Sequence, residues 1–278
     1  MIKLFAADLD GTLLNAAHTV DHVILSAIRE VRREGAHFSI ATGRVMRSNC
    51  EAGFEGNVAV ISANGALVLD ENGQLVHEVL MDVDFVEELA RAFPEAPFEF
   101  VCTKCSCHAC SFEEHVASYG ATGLRQKVLL RGMKKASGEH VYNCGVGEIC
   151  AAGVCKINCR VTDSMLASEI SACITEHANV AHDAPFSPEI FEITDPAATK
   201  GAAVAWLAST LGIAEEEVAV YGDGGNDIEM LSRFEHAYAT RGACEDAKRV
   251  VGSERTIGSC AFHAVPRHMR KTLRGERG

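Results

Sequence analysis

The sequence predicts an α/β fold, with a doubly wound parallel sheet as its core and an inserted α+β domain. Short apolar runs alternate with amphipathic helical stretches near both ends of the chain, which is typical of parallel strands joined by crossover helices. The apolar runs end in small polar residues, so we expect their carboxyl ends to meet at one edge of the sheet. Between the two ends of the chain this alternation stops. We therefore assign residues 1–80 and 188–278 to the core and residues 81–187 to the inserted domain.

The first predicted strand is the apolar run Leu4-Phe5-Ala6-Ala7, which is followed by Asp8 and Asp10. Two carboxylates spaced i, i+2 lie on the same side of an extended chain. Pairing them inside a sheet would hold like charges together, so we expect the strand to end there, with both carboxylates at its carboxyl edge. Gly11 permits the bend that follows. Such a pair suits a divalent cation with oxygen ligands, although these residues alone also fit a solvated Asp-Gly turn.

The remaining predicted elements follow from apolar periodicity, with Gly, Asp or Asn at many of their ends. They are, in order, a helix at 21–34, strands at 36–41 and 58–61, a hairpin at 66–79, a helix at 83–93, strands at 98–102 and 154–161, a helix at 164–177, a strand at 189–193, a helix at 200–211, a strand at 218–221 and a helix at 228–234. Residues 103–153 show the weakest pattern. The last dozen residues are basic, and we expect them to be frayed.

Composition argues against several classes of protein. The chain has 278 residues, of which 47% are hydrophobic, enough for one large or two modest domains. Its formal net charge of −12 disfavours nonspecific binding to nucleic acid or to anionic membranes, but allows a small anionic substrate beside a local cation. We find neither a secretory leader nor a membrane-spanning apolar run. In a chain of this length without such a leader, the twelve cysteines are expected to be reduced thiols and the protein to be cytoplasmic. We expect a monomer or a weak homodimer.

Polar residues recur at the predicted strand and helix ends of the core. They are Asp8 with Asp10, Thr42, Lys200, and Asp223 with Asn226 and Asp227. This set suits phosphoryl transfer, because a nucleophilic carboxylate and a phosphate repel each other unless a divalent cation neutralises them. Asp8 and Asp223 offer oxygen ligands for that cation, and Lys200 offers a positive charge at a helix start. Asp10 is placed to act as general acid and base, and Thr42 to donate to a phosphate oxygen.

The same residues resemble the motifs of the haloacid dehalogenase-like hydrolases, in particular their Cof-type (class IIB) sugar-phosphatase branch. The matches, in the family's order, are Asp8-Leu9-Asp10-Gly11-Thr12, Ala41-Thr42-Gly43-Arg44, Lys200-Gly201 and Gly222-Asp223-Gly224-Gly225-Asn226-Asp227. One such motif is a weak signal, but four in order with this spacing are a specific one. The resemblance covers essentially the whole chain. It implies that the inserted domain is the family's cap, which closes over the substrate and selects the leaving group.

The resemblance also implies a role for each matched residue. Asp8 would attack phosphorus in line and form an aspartyl-phosphate, with Asp10 as the acid and base. The cofactor would be Mg²⁺, held by the Asp8 carboxylate, the Asp10 backbone carbonyl and Asp223. The substrate would be a small phosphorylated metabolite such as a sugar phosphate. The residues implied in phosphate binding are Thr42, Gly43, Asn64, Lys200 and Asn226, and those implied in support of the site are Asp227 and Arg44.

Two alternatives remain open at this point. One is a phosphomutase or phosphotransferase of the same fold, in which a sugar hydroxyl replaces water as the acceptor. The other is a non-catalytic metal-binding protein with a cysteine-rich cap. The chain also departs from the family pattern, since Thr240-Arg241-Gly242-Ala243 stands in place of Met-x-Asn-Ala and Thr256-Ile257-Gly258 in place of Glu-Asp-Gly. Because neither stretch carries the core chemistry, we expect these changes to affect substrate fit or the packing of the last loops.

A cysteine-rich run lies in the inserted domain, as Cys102-x-x-Cys105-x-Cys107-x-x-Cys110. Structural zinc sites commonly use two Cys-x-x-Cys pairs that are separated by a longer excursion of the chain. Here a single residue separates the two pairs, which leaves little room for tetrahedral coordination by all four thiols. The spacing therefore favours metal-free, reduced cysteines that pack as small hydrophobic side chains.

Overall fold

The computed structural model describes residues 1–118, 140–184 and 190–275. The strands in these ranges are β1 (Leu4–Ala7), β2 (His37–Ala41), β3 (Ala59–Ser62), β4 (Leu67–Leu69), β5 (Leu75–Glu78), β6 (Glu99–Cys102), β7 (Ser106–His108), β8 (His140–Val141), β9 (Val154–Arg160), β10 (His182–Asp183), β11 (Ile190–Thr194), β12 (Val218–Gly222) and β13 (His236–Ala239). The α-helices are α1 (His22–Arg33), α2 (Val83–Ala92), α3 (Phe112–Ser118), α4 (Val146–Ala151), α5 (Ser164–Glu176), α6 (Lys200–Thr210), α7 (Ile228–Arg233), α8 (Glu245–Val251) and α9 (Ala264–Leu273).

The chain divides into two compact units, Met1–Glu78 with Ala197–Gly278, and Val79–Pro196. Each unit has a sheet of its own, with two apolar clusters in the first unit and one in the second among the described residues. None of the helices in the described ranges combines the length and the hydrophobicity that crossing a bilayer requires. Residues 119–139, part of the stretch that gave no clear sequence pattern, lie outside the described ranges.

The first unit is built on a seven-stranded sheet, counted over the described residues, with the order β13-β12-β1-β2-β3-β4-β5. The strands from β13 to β3 run parallel, and β4 and β5 add the predicted hairpin in antiparallel pairing. Every residue of β1 is buried, as expected for a central strand covered on both faces. From β1, the chain first adds β2 and β3 on one side of the sheet, and later adds β12 and β13 on the other side of β1. The carboxyl ends of β1 and β12 therefore meet at the switch point where open α/β sheets bind ligands.

Neighbouring residues of β1 belong to different apolar cores, because side chains alternate across a strand. Leu4 packs in the core that contains Val204 of α6. Phe5 packs in the other core, with Ile24 of α1 and Met269 of α9. Helices thus cover both faces of the sheet, and the predicted doubly wound core is confirmed.

The C-terminal segment forms a helix in the structure, and the expectation of a frayed basic tail is wrong for the described residues. Val265 and Met269 of α9 are completely buried, at the i, i+4 spacing that puts two side chains on one helical face. Arg270 on the same helix donates from Nε to Glu30 Oε2 of α1 at 2.8 Å. The basic residues therefore flank an apolar stripe that closes the core. Residues 276–278 lie outside the described ranges.

The second unit is built on a six-stranded sheet, again counted over the described residues, with the order β10-β11-β9-β6-β7-β8. Its pairings are antiparallel except for β7 with β8. Phe85 of α2 and Ile170 of α5 pack with Phe100 and Ile157 of the sheet. The predicted domain boundary at residue 188 places the strand at 189–193 in the core segment, whereas β11 pairs with β9 in this second sheet. The unit has the α+β character that was predicted for the inserted domain.

Candidate functional site

Residues of all four sequence motifs lie near the carboxyl edge of the first sheet. Lys200 begins α6 after the capping residue Thr199, whose hydroxyl accepts from the Ala202 N–H. The residues that follow strands are Asp8 after β1, Thr42 after β2, Asn64 after β3 and Asp223 after β12. The parallel topology thus brings together side chains that are far apart in sequence, as expected from the motif positions.

The ammonium group of Lys200 joins two buried carboxylates. It donates to Asp8 Oδ1 at 2.8 Å and to Asp227 Oδ1 at 2.6 Å. Burial by itself would lower the pKa of Lys200, but the two carboxylates outweigh burial and raise the pKa, so the amine stays protonated. Lys200 therefore fixes the orientation of Asp8 at the end of β1.

Asp223 brings a third carboxylate to this cluster. Thr12 Oγ1 donates to Asp223 Oδ1 at 2.6 Å, and the backbone N–H of Asp223 donates to Asp227 Oδ2 at 2.9 Å. Carboxylate oxygens of Asp8, Asp223 and Asp227 all lie within 4.8 Å of one another. Gly11 makes this approach possible, because a Cβ there would lie 2.2 Å from Asp223 Oδ2 and its φ of +76° favours glycine.

The cluster carries more negative than positive charge. The group has three carboxylates and one ammonium, which contacts Asp8 and Asp227, so the net charge of the cluster is −2 when all three carboxylates are ionised. Burial raises the pKa of Asp8 to about 7, although Lys200 opposes the shift, and burial also raises the pKa of Asp223 to about 6. Buried like charges are costly unless a cation joins them. The oxygen donors and the charge of this cluster therefore fit a divalent cation such as Mg²⁺.

A second polar group joins the ends of β2 and β3 to the loop after β12. Asn226 Nδ2 donates to Asn64 Oδ1 at 3.0 Å, and the Asn64 N–H donates to the Thr42 carbonyl at 3.1 Å. The Thr42 hydroxyl accepts from the Arg44 N–H at 3.1 Å. A Cβ on Gly43 would lie 2.8 Å from Asn64 Oδ1, so this turn has no room for a side chain. The predicted phosphate-binding residues Thr42, Gly43, Asn64 and Asn226 thus lie together.

Asp10 directs its carboxylate to Arg44. The guanidinium donates from Nε to Oδ2 at 2.7 Å and from Nη2 to Oδ1 at 2.6 Å, and His18 Nδ1 lies 3.5 Å from Oδ1. Burial would raise the pKa of Asp10, but the bonds from Arg44 and His18 outweigh burial and lower the pKa. Asp10 is also close enough to Asp223 to raise the pKa of that carboxyl. The side chain is therefore an ionised carboxylate beside the buried cluster, held by two cationic partners when His18 is protonated.

Three threonines contribute to the site without having been predicted from the sequence. Thr12 binds Asp223, Thr240 donates from Oγ1 to the Gly11 carbonyl at 3.0 Å, and Thr199 donates from Oγ1 to Glu229 Oε2 at 2.8 Å. Thr12 belongs to the first motif, so its position in that motif is a signal that could have identified it. Thr240 stands where the chain departs from the family pattern, and its partner is 229 residues away, so no local pattern indicates the contact.

Comparison with known proteins shows which family this chain resembles in sequence and fold. A family model of haloacid dehalogenase-like hydrolases matches residues 5–253. The HMP-PP phosphatase of Serratia proteamaculans (strain 568) is 25% identical over 279 residues, which cover 99% of this chain and 96% of that protein. A haloacid dehalogenase-like hydrolase from B. subtilis superposes with a TM-score of 0.77 at 26% identity, over 97% of this chain and 99% of that chain.

The fold is also shared with a haloacid dehalogenase subclass IIB sugar phosphatase, with a TM-score of 0.73 at 19% identity over 97% of this chain and 98% of that chain. The match to the family model covers residues 5–78 and 197–253 of the first unit and the whole second unit, which lies between them in the sequence. The family and the enzyme class predicted from the four motifs are therefore confirmed. The chain belongs to the haloacid dehalogenase-like hydrolases.

Proposed function

We propose that this protein is a Mg²⁺-dependent phosphatase that hydrolyses small phosphate monoesters through an aspartyl-phosphate on Asp8. The observation that carries the proposal is the buried cluster in which Lys200 holds Asp8 close to Asp223 and Asp227, with surplus negative charge. Relatives named HMP-PP phosphatase and sugar phosphatase support a small phosphorylated metabolite as the substrate. Sugar phosphates are the substrate class that we would test first.

Asp8 acts as the nucleophile in this proposal. The Lys200 ammonium 2.8 Å from Asp8 Oδ1 orients the carboxylate, so that an oxygen attacks phosphorus while the ester oxygen leaves on the opposite side. A divalent cation held by the Asp8 carboxylate, the Asp10 carbonyl and Asp223 would supply the positive charge that lets two anions approach. Thr42, Asn226 and Lys200 are the donors proposed to bind the transferring phosphoryl oxygens.

Asp10 moves the protons. In the first step its carboxyl proton passes to the leaving oxygen, and in the second its carboxylate takes a proton from the water that attacks the aspartyl-phosphate. The Arg44 guanidinium stabilises the carboxylate form that is needed in the second step. Asp10 must carry a proton in the first step, so its ion pair with Arg44 has to weaken when substrate binds. Arg44 therefore acts through Asp10, as a positioning residue in this proposal.

The first test is the loss of the nucleophile. Asp8→Asn is expected to reduce phosphate release from para-nitrophenyl phosphate by at least about 10³-fold, because an amide forms no aspartyl-phosphate. The matched control is Asp246→Asn, which removes an exposed carboxylate that pairs with Arg249 and should leave turnover unchanged. Turnover of Asp8→Asn at the wild-type level, in protein whose circular dichroism is unchanged, would contradict the proposal.

Product analysis separates hydrolysis from the transfer reactions that this fold also permits. With a sugar phosphate as substrate, we expect inorganic phosphate to appear in step with the free sugar. An isomerised sugar phosphate without phosphate release would identify a mutase in place of a hydrolase. The cytoplasmic location and the monomeric or weakly dimeric state stay predictions, which fractionation of cells and light scattering would test.

A further inference from the structure

The β6–β7 hairpin of the second unit carries three cysteines on one of its faces. Cys102 ends β6, and its N–H donates to the Cys105 carbonyl at 2.8 Å across the two-residue turn at 103–104. Residues that oppose each other in an antiparallel pair share a face of the sheet, and so do residues two apart along a strand. Cys107, two residues beyond Cys105, therefore joins the same face, and the backbone brings all three thiols together.

The sulfur positions fit a tetrahedral metal ion. Cys105 Sγ and Cys107 Sγ are 3.9 Å apart, and the three sulfurs all lie within 4.8 Å of one another. Zinc–sulfur bonds of about 2.3 Å at tetrahedral angles place two ligand sulfurs about 3.8 Å apart. Cys102 and Cys107 are 1% and 5% exposed, whereas Cys105 is only partly buried. The thiols are thus shielded from bulk water and remain reachable from the hairpin turn.

A fourth thiol lies beside these three. Cys144 packs in the same apolar cluster as Cys102 and Cys107, and its N–H donates to the His108 carbonyl at 2.9 Å. Burial, and after it the neighbouring thiols of Cys102, Cys105 and Cys144, raise the pKa of Cys107, which places Cys144 near Cys107, although, among the described residues, the sulfurs that all lie within 4.8 Å of one another are those of Cys102, Cys105 and Cys107 alone. Because the bond to His108 attaches its segment to β7, Cys144 lies beside the hairpin rather than at a distance along the chain.

We propose that Cys102, Cys105 and Cys107 bind a zinc ion, with Cys144 as the fourth thiolate. Sets of three or four thiolates are those of structural zinc sites, and soft sulfur ligands select zinc over Mg²⁺. Binding releases one proton from each thiol that becomes a ligand and involves no change of oxidation state. The inferred site is independent of the phosphatase chemistry proposed for the first unit.

The spacing of the cysteine run argues against zinc only if all four of its thiols serve one ion. In the structure, Cys110 instead belongs to a group with His108 and His115. His108 also lies in a second group, with His140 Nδ1 at 2.9 Å from its Nε2 and Glu99 nearby. These nitrogen and oxygen donors form a different ligand set from the thiols, so an experiment has to identify sulfur ligation directly.

The competing state is metal-free. Cys102 Sγ donates to the Phe100 carbonyl at 3.5 Å, and Cys144 Sγ donates to the Val141 carbonyl at 3.4 Å. Both bonds need thiol protons that zinc would displace. Metal-free cysteines would then only fill space in the core, and metal content decides between the two states.

The experiment uses untagged full-length protein from zinc-supplemented medium, dialysed against metal-free buffer with Mg²⁺. Mass spectrometry of the metals is expected to find about one zinc ion per chain. After replacement of zinc by Co²⁺, thiolate ligation should give an intense sulfur-to-cobalt charge-transfer band in the near ultraviolet, together with the visible bands of a tetrahedral ion. The carboxylates of the first unit and the group of Glu99, His108 and His140 give no such band, and the group that contains Cys110 offers a single thiolate. Because the intensity of the band rises with the number of thiolates, a band of three or four thiolates identifies the proposed cluster.

Variants assign the ligands. The double substitution Cys105→Ser and Cys107→Ser is expected to lower zinc content at least about 10-fold. His140→Gln, on the histidine group, and Cys260→Ser, in the first unit, serve as matched controls that keep the metal.

Wild-type protein without bound zinc and without a charge-transfer band would overturn the proposal, and so would zinc lost in His140→Gln but kept in the double variant. If the double variant does not fold, the intensity of the wild-type charge-transfer band decides, because three or four thiolates give a stronger band than the single thiolate of Cys110. Phosphate release plays no part in these readouts, so either proposal can fail without the other.

Discussion

Lys200 controls the charge balance of the buried carboxylate cluster. Its ammonium contacts Asp8 and Asp227, and its side chain is 1% exposed. Lys200→Met would leave both carboxylates buried without their cation, and breaking a buried ion pair in this way costs about 3–5 kcal/mol. We expect the free energy of unfolding, measured in urea without metal at pH 8, to fall by that amount. The loss should be smaller at pH 5, because a proton on Asp8 then removes part of the uncompensated charge.

The matched control replaces a lysine whose ion pair is exposed to solvent. Lys248 pairs with Glu245 at 3.0 Å, and the glutamate side chain is 84% exposed. Surface pairs of this kind contribute at most about 1 kcal/mol, so Lys248→Met should change the free energy of unfolding by no more than that. Equal losses of unfolding free energy in the two variants would show that the buried ion pairs of Lys200 stabilise the protein no more than an exposed pair does.

Single residues also show where prediction from the sequence ends. Asp8, Lys200 and Asp223 were predicted, because each belongs to a short motif at the end of an element, and parallel topology brings such ends together. Thr240 was not, because its bond to the Gly11 carbonyl depends on a tertiary contact between residues distant in sequence. A motif therefore predicts which side chains meet at the edge of the sheet better than it predicts which ones hold the loops in place.

At the scale of elements, α9 is part of the core of the first unit. Met269 is completely buried against α1 residues and β1. Met269→Ala should lower the free energy of unfolding by about 2–5 kcal/mol, because it removes packed atoms and leaves a cavity. Arg267→Ala, on an exposed position of the same helix, is the control and should change stability by less than about 0.5 kcal/mol. Urea titration of both variants provides the measurement. If Met269→Ala unfolds with the same free energy as the wild type, the C-terminal segment does not pack in the core, as expected for a frayed tail.

Elements were predictable where their own periodicity defines them. β1, β2, β3 and β12 are buried runs with polar ends, and the bond between Asp82 and the Phe85 N–H caps α2 at its predicted start. Assignment of β11 to a sheet was not predictable, because an apolar strand at 190–194 fits either sheet and only its pairing with β9 decides. The C-terminal helix was missed because its basic residues masked the spacing of Val265 and Met269. Local signals thus predict elements, whereas partners between elements depend on the fold.

At the scale of the whole molecule, one fluorophore reports on one unit. Trp206 is the only tryptophan in the chain. It lies in α6 of the first unit and stacks on His77 with ring centroids 4.5 Å apart. Tryptophan fluorescence therefore follows unfolding of the unit that holds the carboxylate cluster, whereas far-ultraviolet circular dichroism follows both units. Ligands of the first unit can be recognised by their effect on the fluorescence transition.

Stabilisation of the first unit by Mg²⁺ should depend on pH, and the fluorescence of Trp206 can report it. Burial raises the pKa of Asp8 to about 7 and that of Asp223 to about 6, above the value of about 3.9 for an unfolded aspartate. Between about pH 4 and pH 7 the folded, metal-free protein therefore binds more protons than the unfolded chain, so its stability falls as pH rises through this window. Mg²⁺ bound at the proposed site would compete with these protons, so the stabilisation by Mg²⁺ should grow across the same window.

We therefore expect saturating Mg²⁺ to shift the Trp206 unfolding transition in urea more at pH 8 than at pH 5. At a concentration of 100 times the dissociation constant, the gain at pH 8 should be about 2.7 kcal/mol. Asp223→Asn removes one proposed ligand and should abolish most of the shift, whereas Asp246→Asn should preserve it. A Mg²⁺ effect of equal size at both pH values would mean that the cation does not replace protons on these carboxylates, and that it binds elsewhere on the chain.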